Sequence, residues 1–170
     1  MSINSVRVLV SACLLGQPVR YDGQSKGIVS DWLNELGAEG RVLAFCPEVA
    51  GGLPTPRPPA ERQGERVVTA SGLDVTAEFD RGAELVLEIC QAQGIRFALL
   101  KEGSPSCGSG RIYNGRFEGV SVAGEGKTTA LLRRHGIAVF SEDQLAELAS
   151  VLSVDASWLD IPSVATRSGA

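Results

Sequence analysis

Three cysteines occupy matching positions in the chain, and their side chains could bind a metal or act as nucleophiles. Cys13, Cys46 and Cys107 each come shortly after a short apolar segment that predicts a buried strand. Thiolates are soft ligands, which select zinc, copper(I) or an iron–sulfur cluster. Because the three residues are far apart in sequence, the elements between them decide whether they form one site.

The other candidate ligands do not complete a closed metal site. Cys90 lies in the middle of a predicted helix on its apolar face, which indicates a buried structural cysteine. Closed zinc sites use four ligands, often in Cys-x-x-Cys pairs, and the sequence has no such pair. His135 is the only histidine and could be a fourth ligand, but we expect it at the opposite side of the sheet. The pattern favours a soft metal centre with an open position, against three unrelated loop cysteines.

The loop that carries Cys107 is rich in small residues. It runs from residue 99 to 110 and contains three glycines, a proline and several serines. Glycines such as Gly103 adopt positive φ without penalty and let the backbone come close to a ligand. Ser104 and Ser106 could hold a substrate through hydroxyl or N–H groups, or could be ordinary turn residues.

Polar residues also follow the other two cysteines. Glu48 lies two residues after Cys46, so its carboxylate should project into the same crevice as a candidate general acid or base. A surface glutamate is the alternative interpretation. Arg20 and Tyr21 follow Cys13 and are candidates for substrate binding, or simply polar loop residues. The proline-rich segment 54–59 predicts an extended wall over the site, in preference to a disordered linker.

The rest of the chain alternates apolar strand patterns with amphipathic helix patterns. Strands are predicted at 6–10, 41–45, 95–100 and 136–140, and helices at 28–36, 78–93, 126–135 and 142–152. Two hairpins are predicted as well, at 65–76 with a turn at 70–73, and at 111–120 around Asn114-Gly115.

This alternation predicts an α/β fold with a mainly parallel, Rossmann-like sheet and helices on both faces, plus the small hairpins. Ligands bind such sheets beyond the carboxyl ends of the strands. Cys13, Cys46 and Cys107 would therefore meet at one edge of one sheet.

Length and composition narrow the class of protein. A chain of 170 residues fits one domain, with a core over about residues 6–152 and a tail over 153–170. The net charge of −4 and the aromatic content of 5% argue against a nucleic-acid-binding surface. The first ten residues have no basic leader, and no apolar run reaches the roughly 18 residues of a membrane span. We expect a cytoplasmic protein with reduced thiols.

Three motifs resemble those of the thiouracil desulfidase family, formerly described as a domain of unknown function. They are Val10-Ser-Ala-Cys-Leu-Leu-Gly16 with Val19-Arg-Tyr-Asp-Gly23, Cys46-Pro-Glu-Val-Ala-Gly-Gly-Leu-Pro-Thr-Pro-Arg57, and Leu100-Lys-Glu-Gly-Ser-Pro-Ser-Cys-Gly108. The motifs are long and ungapped, and the resemblance extends from about residue 6 to residue 150.

The resemblance implies a 4Fe–4S cluster held by Cys13, Cys46 and Cys107. The fourth iron would have no protein ligand and would take the sulfur of a thiolated nucleobase such as 2-thiouracil, giving uracil and sulfide without net redox change. The family implicates the glutamate of the Cys-Pro-Glu motif, which is Glu48 here. It also implicates a serine of the cysteine loop, for which we favour Ser104 over Ser106.

Other functions stay open at this point. A metal-free sulfur carrier or thiol-redox protein would use Cys107 as a persulfide. A non-catalytic iron–sulfur protein would normally have a fourth cysteine ligand, and a zinc hydrolase would be separated by metal analysis. The negative charge favours a small thiolated base as partner, while thiolated tRNA stays an open alternative; the sequence predicts no oligomeric state.

Overall fold

A computed structural model of the chain describes residues 6–159, and a parallel sheet lies at the centre of this part. Its four strands are β1 (Val8–Ser11), β2 (Val42–Phe45), β5 (Phe97–Leu100) and β8 (Ala138–Ser141). They lie in the order β2-β1-β5-β8, and every neighbouring pair is parallel. The strand order reverses at β1, because β2 is added on one side of β1 and the later strands are added on the other side. Open α/β sheets bind ligands at such a switch point.

Helices cover both faces of this sheet. They are α1 (Asp31–Ala38), α3 (Thr76–Gln93), α4 (Lys127–Arg134) and α5 (Leu145–Leu159). Alternate residues of β1 point to opposite faces, as the strand period of two requires. Val8 packs with Leu33 and Leu148 of α1 and α5, whereas Leu9 packs with Val86 and Leu132 of α3 and α4. The predicted α/β fold with helices on both faces is confirmed.

The first helix begins later than its apolar pattern predicts. Ser30 is the N-cap, and its Oγ accepts a hydrogen bond of 3.1 Å from the Leu33 N–H. Val29, which falls within the predicted helix at 28–36, lies before the N-cap and is 99% exposed. The hydrogen bond from the N-cap stabilises a helix that begins at Asp31. This effect outweighs the tendency of Ile28 and Val29 to extend the helix toward the N-terminus.

The first hairpin has one strand more than predicted. Strand β3 (Ala60–Gln63), which the sequence analysis missed, pairs with β4 (Arg66–Thr69) across a turn at residues 64–65. The predicted turn at 70–73 also forms, since the Thr69 N–H donates to the Leu73 carbonyl oxygen and the Val75 N–H donates to that of Val67, both at 2.9 Å. The chain then enters α3, so the segment after the turn stays short.

The second hairpin lacks the tight turn that its Asn-Gly pair predicts. Strands β6 (Arg111–Tyr113) and β7 (Ser121–Ala123) pair, but residues 114–120 connect them as a longer loop. Gly115 N–H donates to the buried carboxylate of Glu61 at 2.9 Å. This tertiary contact replaces the two-residue turn.

At the C-terminal end, a short 3-10 helix (Glu142–Gln144) precedes α5. Helix α5 continues to Leu159, beyond the helix end predicted at 152; the rest of the predicted tail lies outside the described residues. None of the helices within residues 6–159 combines the length and the apolar character that a membrane crossing requires.

Candidate active site

A cavity of about 710 Å³ opens at the carboxyl ends of β1, β2 and β5. Cys13, Cys46 and Cys107 all line it, as their positions after the three strands predict. Cys90 is instead fully buried on the core-facing side of α3, where we expected it. His135 caps the end of α4, where its Nδ1 lies 3.0 Å from the Leu131 carbonyl oxygen, and it is not among the cavity residues.

The three thiols share one electrostatic environment. Burial, with a smaller contribution from the neighbouring Cys46, raises the pKa of Cys13 to about 11. Burial also raises the pKa of Cys46 and, more strongly, that of Cys107, where Glu48 and the other two cysteines add to the effect. Each thiolate is thus destabilised by desolvation and by its neighbours, so a cationic group among the sulfur atoms would relieve the repulsion.

Cys46 and Glu48 are positioned by a short helix that the sequence analysis did not predict. Helix α2 (Pro47–Ala50) follows β2 directly, with Cys46 as its N-cap and a proline in its first turn. It packs on α3 backbone to backbone. A Cβ atom on Gly82 would lie 2.0 Å from the carbonyl oxygen of Pro47, and one on Gly51 would lie 2.0 Å from that of Glu78. Only glycine fits at these contacts.

Glu48 is held by Arg57, whose contribution the sequence analysis missed although the residue closes the second motif. Arg57 Nε donates to Glu48 Oε2 at 2.9 Å, and Nη2 donates to the same oxygen. The remaining guanidinium donors bond to the Pro54 and Val19 carbonyl oxygens at 3.1 and 3.0 Å and to the Thr55 hydroxyl. The guanidinium fork thereby fixes the carboxylate in the cavity wall.

The proline-rich segment does form part of the wall. Pro54, Pro58 and Pro59 line the cavity together with Arg57. The backbone N–H of Arg57 donates to the Tyr21 carbonyl oxygen at 2.7 Å, which ties this segment to the loop after Cys13.

The loop that carries Cys107 is built around a buried carboxylate. Glu102 Oε1 accepts hydrogen bonds from the N–H groups of Gly103, Ser109, Gly110 and Arg111. Burial acts to raise the pKa of Glu102, but these N–H groups outweigh it and the net pKa is lowered. The sequence analysis missed this anchor, for which the only signal is an acidic residue directly after an apolar strand.

Ser104 and Ser106 have different surroundings. Ser104 lines the cavity, and its Oγ accepts hydrogen bonds of 3.0 Å from the N–H groups of Ser106 and Cys107. Ser106 is 0% exposed, lies outside the cavity lining and pairs its hydroxyl with that of Thr128 at 2.8 Å. These contacts favour a structural role for Ser106 over the substrate contact that we expected.

Helix α4 supports the cysteine loop in the same way that α3 supports α2. The N–H groups of Lys127 and Thr128 donate to the carbonyl oxygens of Pro105 and Ser106. A Cβ atom on Gly126 would lie 2.4 Å from the Ser106 carbonyl oxygen. Each of the two later cysteines is therefore held by a glycine contact with a helix.

The remaining candidates stand around the cavity. Gly103, Arg20 and Tyr21 line it, and the Arg20 guanidinium lies 5.6 Å from the centroid of the Tyr21 ring. Lys101, which the sequence analysis missed, also lines it and pairs through Nζ with Glu142 Oε2 at 2.8 Å. Lys101 lowers the pKa of Cys13, although burial outweighs it.

The donor set fits a cluster better than a single ion. Among the described side chains, no three His, Cys, Asp or Glu residues are grouped closely enough to hold one metal ion. The three cavity thiols are free of disulfides and converge from three strands. A cluster binds each thiolate through a different iron, so it accommodates sulfur donors spread around one cavity.

Comparisons with known proteins identify the family. A solved structure of the [4Fe-4S]-dependent thiouracil desulfidase TudS is 86% identical, with a TM-score of 0.87, and the match covers 88% of this chain and 99% of that one. The uncharacterized protein YbbK of Bacillus subtilis (strain 168) is 41% identical over 151 residues, which are 83% of this chain and 99% of that protein. The family model for 2-thiouracil desulfurase matches residues 8–144. The chain thus belongs to the 2-thiouracil desulfurase family.

Proposed function

We propose that this chain is an iron–sulfur-dependent desulfidase that converts 2-thiouracil to uracil and releases sulfide. The observation that carries the proposal is the convergence of Cys13, Cys46 and Cys107 in one cavity that Glu48 also lines. The similar solved structure, named as a [4Fe-4S]-dependent thiouracil desulfidase, supports both the cofactor and the substrate class.

The three cavity cysteines would hold a 4Fe–4S cluster, and no fourth thiol is available there, because Cys90 is buried elsewhere. When bound, the cluster supplies a soft Lewis acid with one iron free of protein ligands, suited to a thiocarbonyl sulfur. The protein contributes a desolvated cavity and fixed sulfur donors. Lys101 adds a positive charge near Cys13.

Glu48 is the group that moves protons in this proposal. Both guanidinium nitrogens of Arg57 bond to its Oε2, which leaves Oε1 able to accept a proton from an attacking water. The carbon–sulfur bond breaks, the water oxygen stays on the carbon, and the proton is available for the departing sulfide. Arg57 acts as a positioning residue, since its guanidinium donors bond to Glu48 and to the neighbouring loops.

Ser104 is placed to orient the base. Its oxygen already accepts two backbone hydrogen bonds, so its hydroxyl proton is the remaining group and can be donated to a substrate oxygen or nitrogen. Gly103 has no side chain, which allows the ring to approach the loop closely. Arg20 and Tyr21 contribute polar contacts from the opposite loop.

The reaction consumes one water and needs no external oxidant or reductant, because a thiocarbonyl becomes a carbonyl and the sulfur leaves as hydrosulfide. An anaerobic assay in water labelled with oxygen-18 tests this directly. The cluster-loaded protein should form uracil that carries one labelled oxygen, with one sulfide per uracil and no added reductant.

The control is the same preparation after its iron has been removed with a chelator. If the iron-free protein were equally active, a thiol mechanism through Cys107 would replace the proposal.

We further propose a cytoplasmic location, which the four unpaired thiols support. A small thiolated base is the preferred substrate, and thiolated tRNA can be compared in the same assay.

A further inference from the structure

The loop between β6 and β7 presents an aromatic side chain to the cavity in an unfavourable backbone conformation. Phe117 has a φ of 58°, and it is the only non-glycine residue with positive φ within residues 6–159. Left-handed backbone is costly for a residue with a bulky side chain. Such strain persists only where the surroundings impose it, and it is typical of functional positions.

A buried carboxylate imposes this conformation. Glu61 is 8% exposed, and its Oε1 accepts hydrogen bonds of 2.9 Å and 3.2 Å from the N–H groups of Gly115 and Phe117. Gln63 Nε2 donates to the Gly115 carbonyl oxygen at 2.7 Å from the same strand. The hairpin β3–β4 thus holds the tip of the β6–β7 loop over the cavity, which both Glu61 and Phe117 line.

The other four aromatic residues that line the cavity are less suited to meet a planar ring. One face of Tyr21 lies against the Arg20 guanidinium. Tyr113 lies in β6 with ordinary strand backbone and is 45% exposed. Phe79 is 2% exposed within a core cluster, and Phe45 packs against the core of the sheet. Phe117 is half-buried and has no polar atom in its side chain, so it can offer only an apolar π face.

We propose that Phe117 forms a stacking subsite for the heterocycle of the thiolated base. This inference rests on the proposed function, since it concerns the same cavity and substrate class. The ring covers one face of the base while the cysteines and Glu48 act at its sulfur-bearing edge. Glu61 is the positioning residue that holds the ring there.

The backbone strain allows a test that separates binding from folding. In Phe117→Gly the strain is relieved, so the thermal unfolding midpoint should stay the same or rise, while the KM for 2-thiouracil should rise about tenfold, the size of effect expected for one lost base–aromatic stack. Phe117→Leu should show a similar rise in KM, and Phe117→Tyr should restore the wild-type value. Iron content and kcat should stay close to those of the wild type in all three.

The matched control is Arg116→Ala, which alters an exposed neighbour in the same loop and should leave KM unchanged. Calorimetric binding of uracil to the cluster-loaded variants gives the same comparison without turnover. Wild-type protein that binds uracil but releases no sulfide would contradict the proposed function and not the subsite. Unchanged KM and uracil affinity in both Phe117→Gly and Phe117→Leu would overturn the subsite, as would a loss of thermal stability in Phe117→Gly.

Discussion

At the scale of single residues, the guanidinium of Arg57 and the carboxylate of Glu48 form the most constrained pair in the cavity. Both side chains are largely buried, and the donors of Arg57 are shared among the carboxylate, two carbonyl oxygens and a hydroxyl. A lysine has a point charge and cannot reproduce this planar arrangement. The orientation of Glu48 therefore depends on Arg57.

Replacing Arg57 by lysine should lower kcat by a factor of the order of 100 without loss of iron, because Glu48 keeps a cationic neighbour but loses its orientation. Turnover, iron content and the cluster absorption spectrum measured on one preparation would show this. Arg111→Lys is the matched control, since its ion pair with Asp143 is exposed and should contribute little. A drop in iron content equal to the drop in kcat would assign Arg57 to folding of the site instead.

The sequence predicts the cysteines at this scale but not the residues that hold their neighbours. Cys13, Cys46 and Cys107 each follow a recognisable strand, so the sheet itself brings them together. Arg57 and Glu102 act through contacts between loops. The periodicity of a sequence does not show which oxygen will accept a hydrogen bond from a guanidinium or an N–H group. Ser106 is a similar case, because only the position of α4 shows that its hydroxyl pairs with Thr128.

At the scale of elements, the site depends on helices that approach loops at glycine. Helix α2 carries Cys46 and Glu48 and touches α3 at Gly82, where no Cβ fits. The sequence signal for such a contact is a glycine on the apolar face of a core helix. In α3 this glycine fits the amphipathic pattern, so the pattern alone does not distinguish it from an ordinary core position. The short α2 itself has too few residues for a periodic pattern.

Gly82→Ala should push α2 away from α3 and disturb Cys46. We expect a loss of about 1–3 kcal/mol in the free energy of unfolding, typical of overpacking, together with a lower iron content after reconstitution. Gly37→Ala is the control, because Gly37 lies in α1 with open space around its Cα and should gain up to about 1 kcal/mol in stability. Equal behaviour of the two variants would contradict the proposed contact.

Glu102 gives the cysteine loop a pH dependence. Its pKa in the folded protein is lowered from the ordinary value of 4.5. Its contribution to stability is therefore present above about pH 4.5 and is lost as the pH falls through the folded pKa. Glu102→Gln should remove this part of the acid sensitivity and cost about 1–3 kcal/mol at neutral pH, since an amide cannot accept the same N–H groups as well.

Chemical denaturation of the metal-free protein between pH 3 and pH 7 would measure both effects, the pH window being set by the carboxyl pKa range. Glu84→Gln serves as a control on α3 outside the active-site cavity. If Glu102→Gln kept the wild-type slope of stability against pH, Glu102 would not be responsible for this part of the acid sensitivity.

At the scale of the whole molecule, the alternation of strands and helices decides the architecture. The four apolar segments and the helices between them predict the parallel sheet, which is confirmed, and the cavity that carries the candidate site opens at the sheet edge where we expect it. The hairpins are predicted less completely, because strand β3 and the loop at 114–120 depend on tertiary contacts such as that between Glu61 and Gly115. These hairpins line the outer part of the cavity. The sequence therefore predicts the part of the site at the strand ends better than the part formed by the hairpins.

The central claim is that three cysteines, and not the fourth, hold a cluster that performs desulfuration. The most direct measurement is iron content and sulfide release from 2-thiouracil after anaerobic reconstitution of four variants, Cys13→Ala, Cys46→Ala, Cys107→Ala and Cys90→Ala. We predict that the first three lose sulfide release and most of their iron, and that Cys90→Ala keeps both. Full iron content and activity in any of the first three, or their loss in a folded Cys90→Ala protein, would contradict the account.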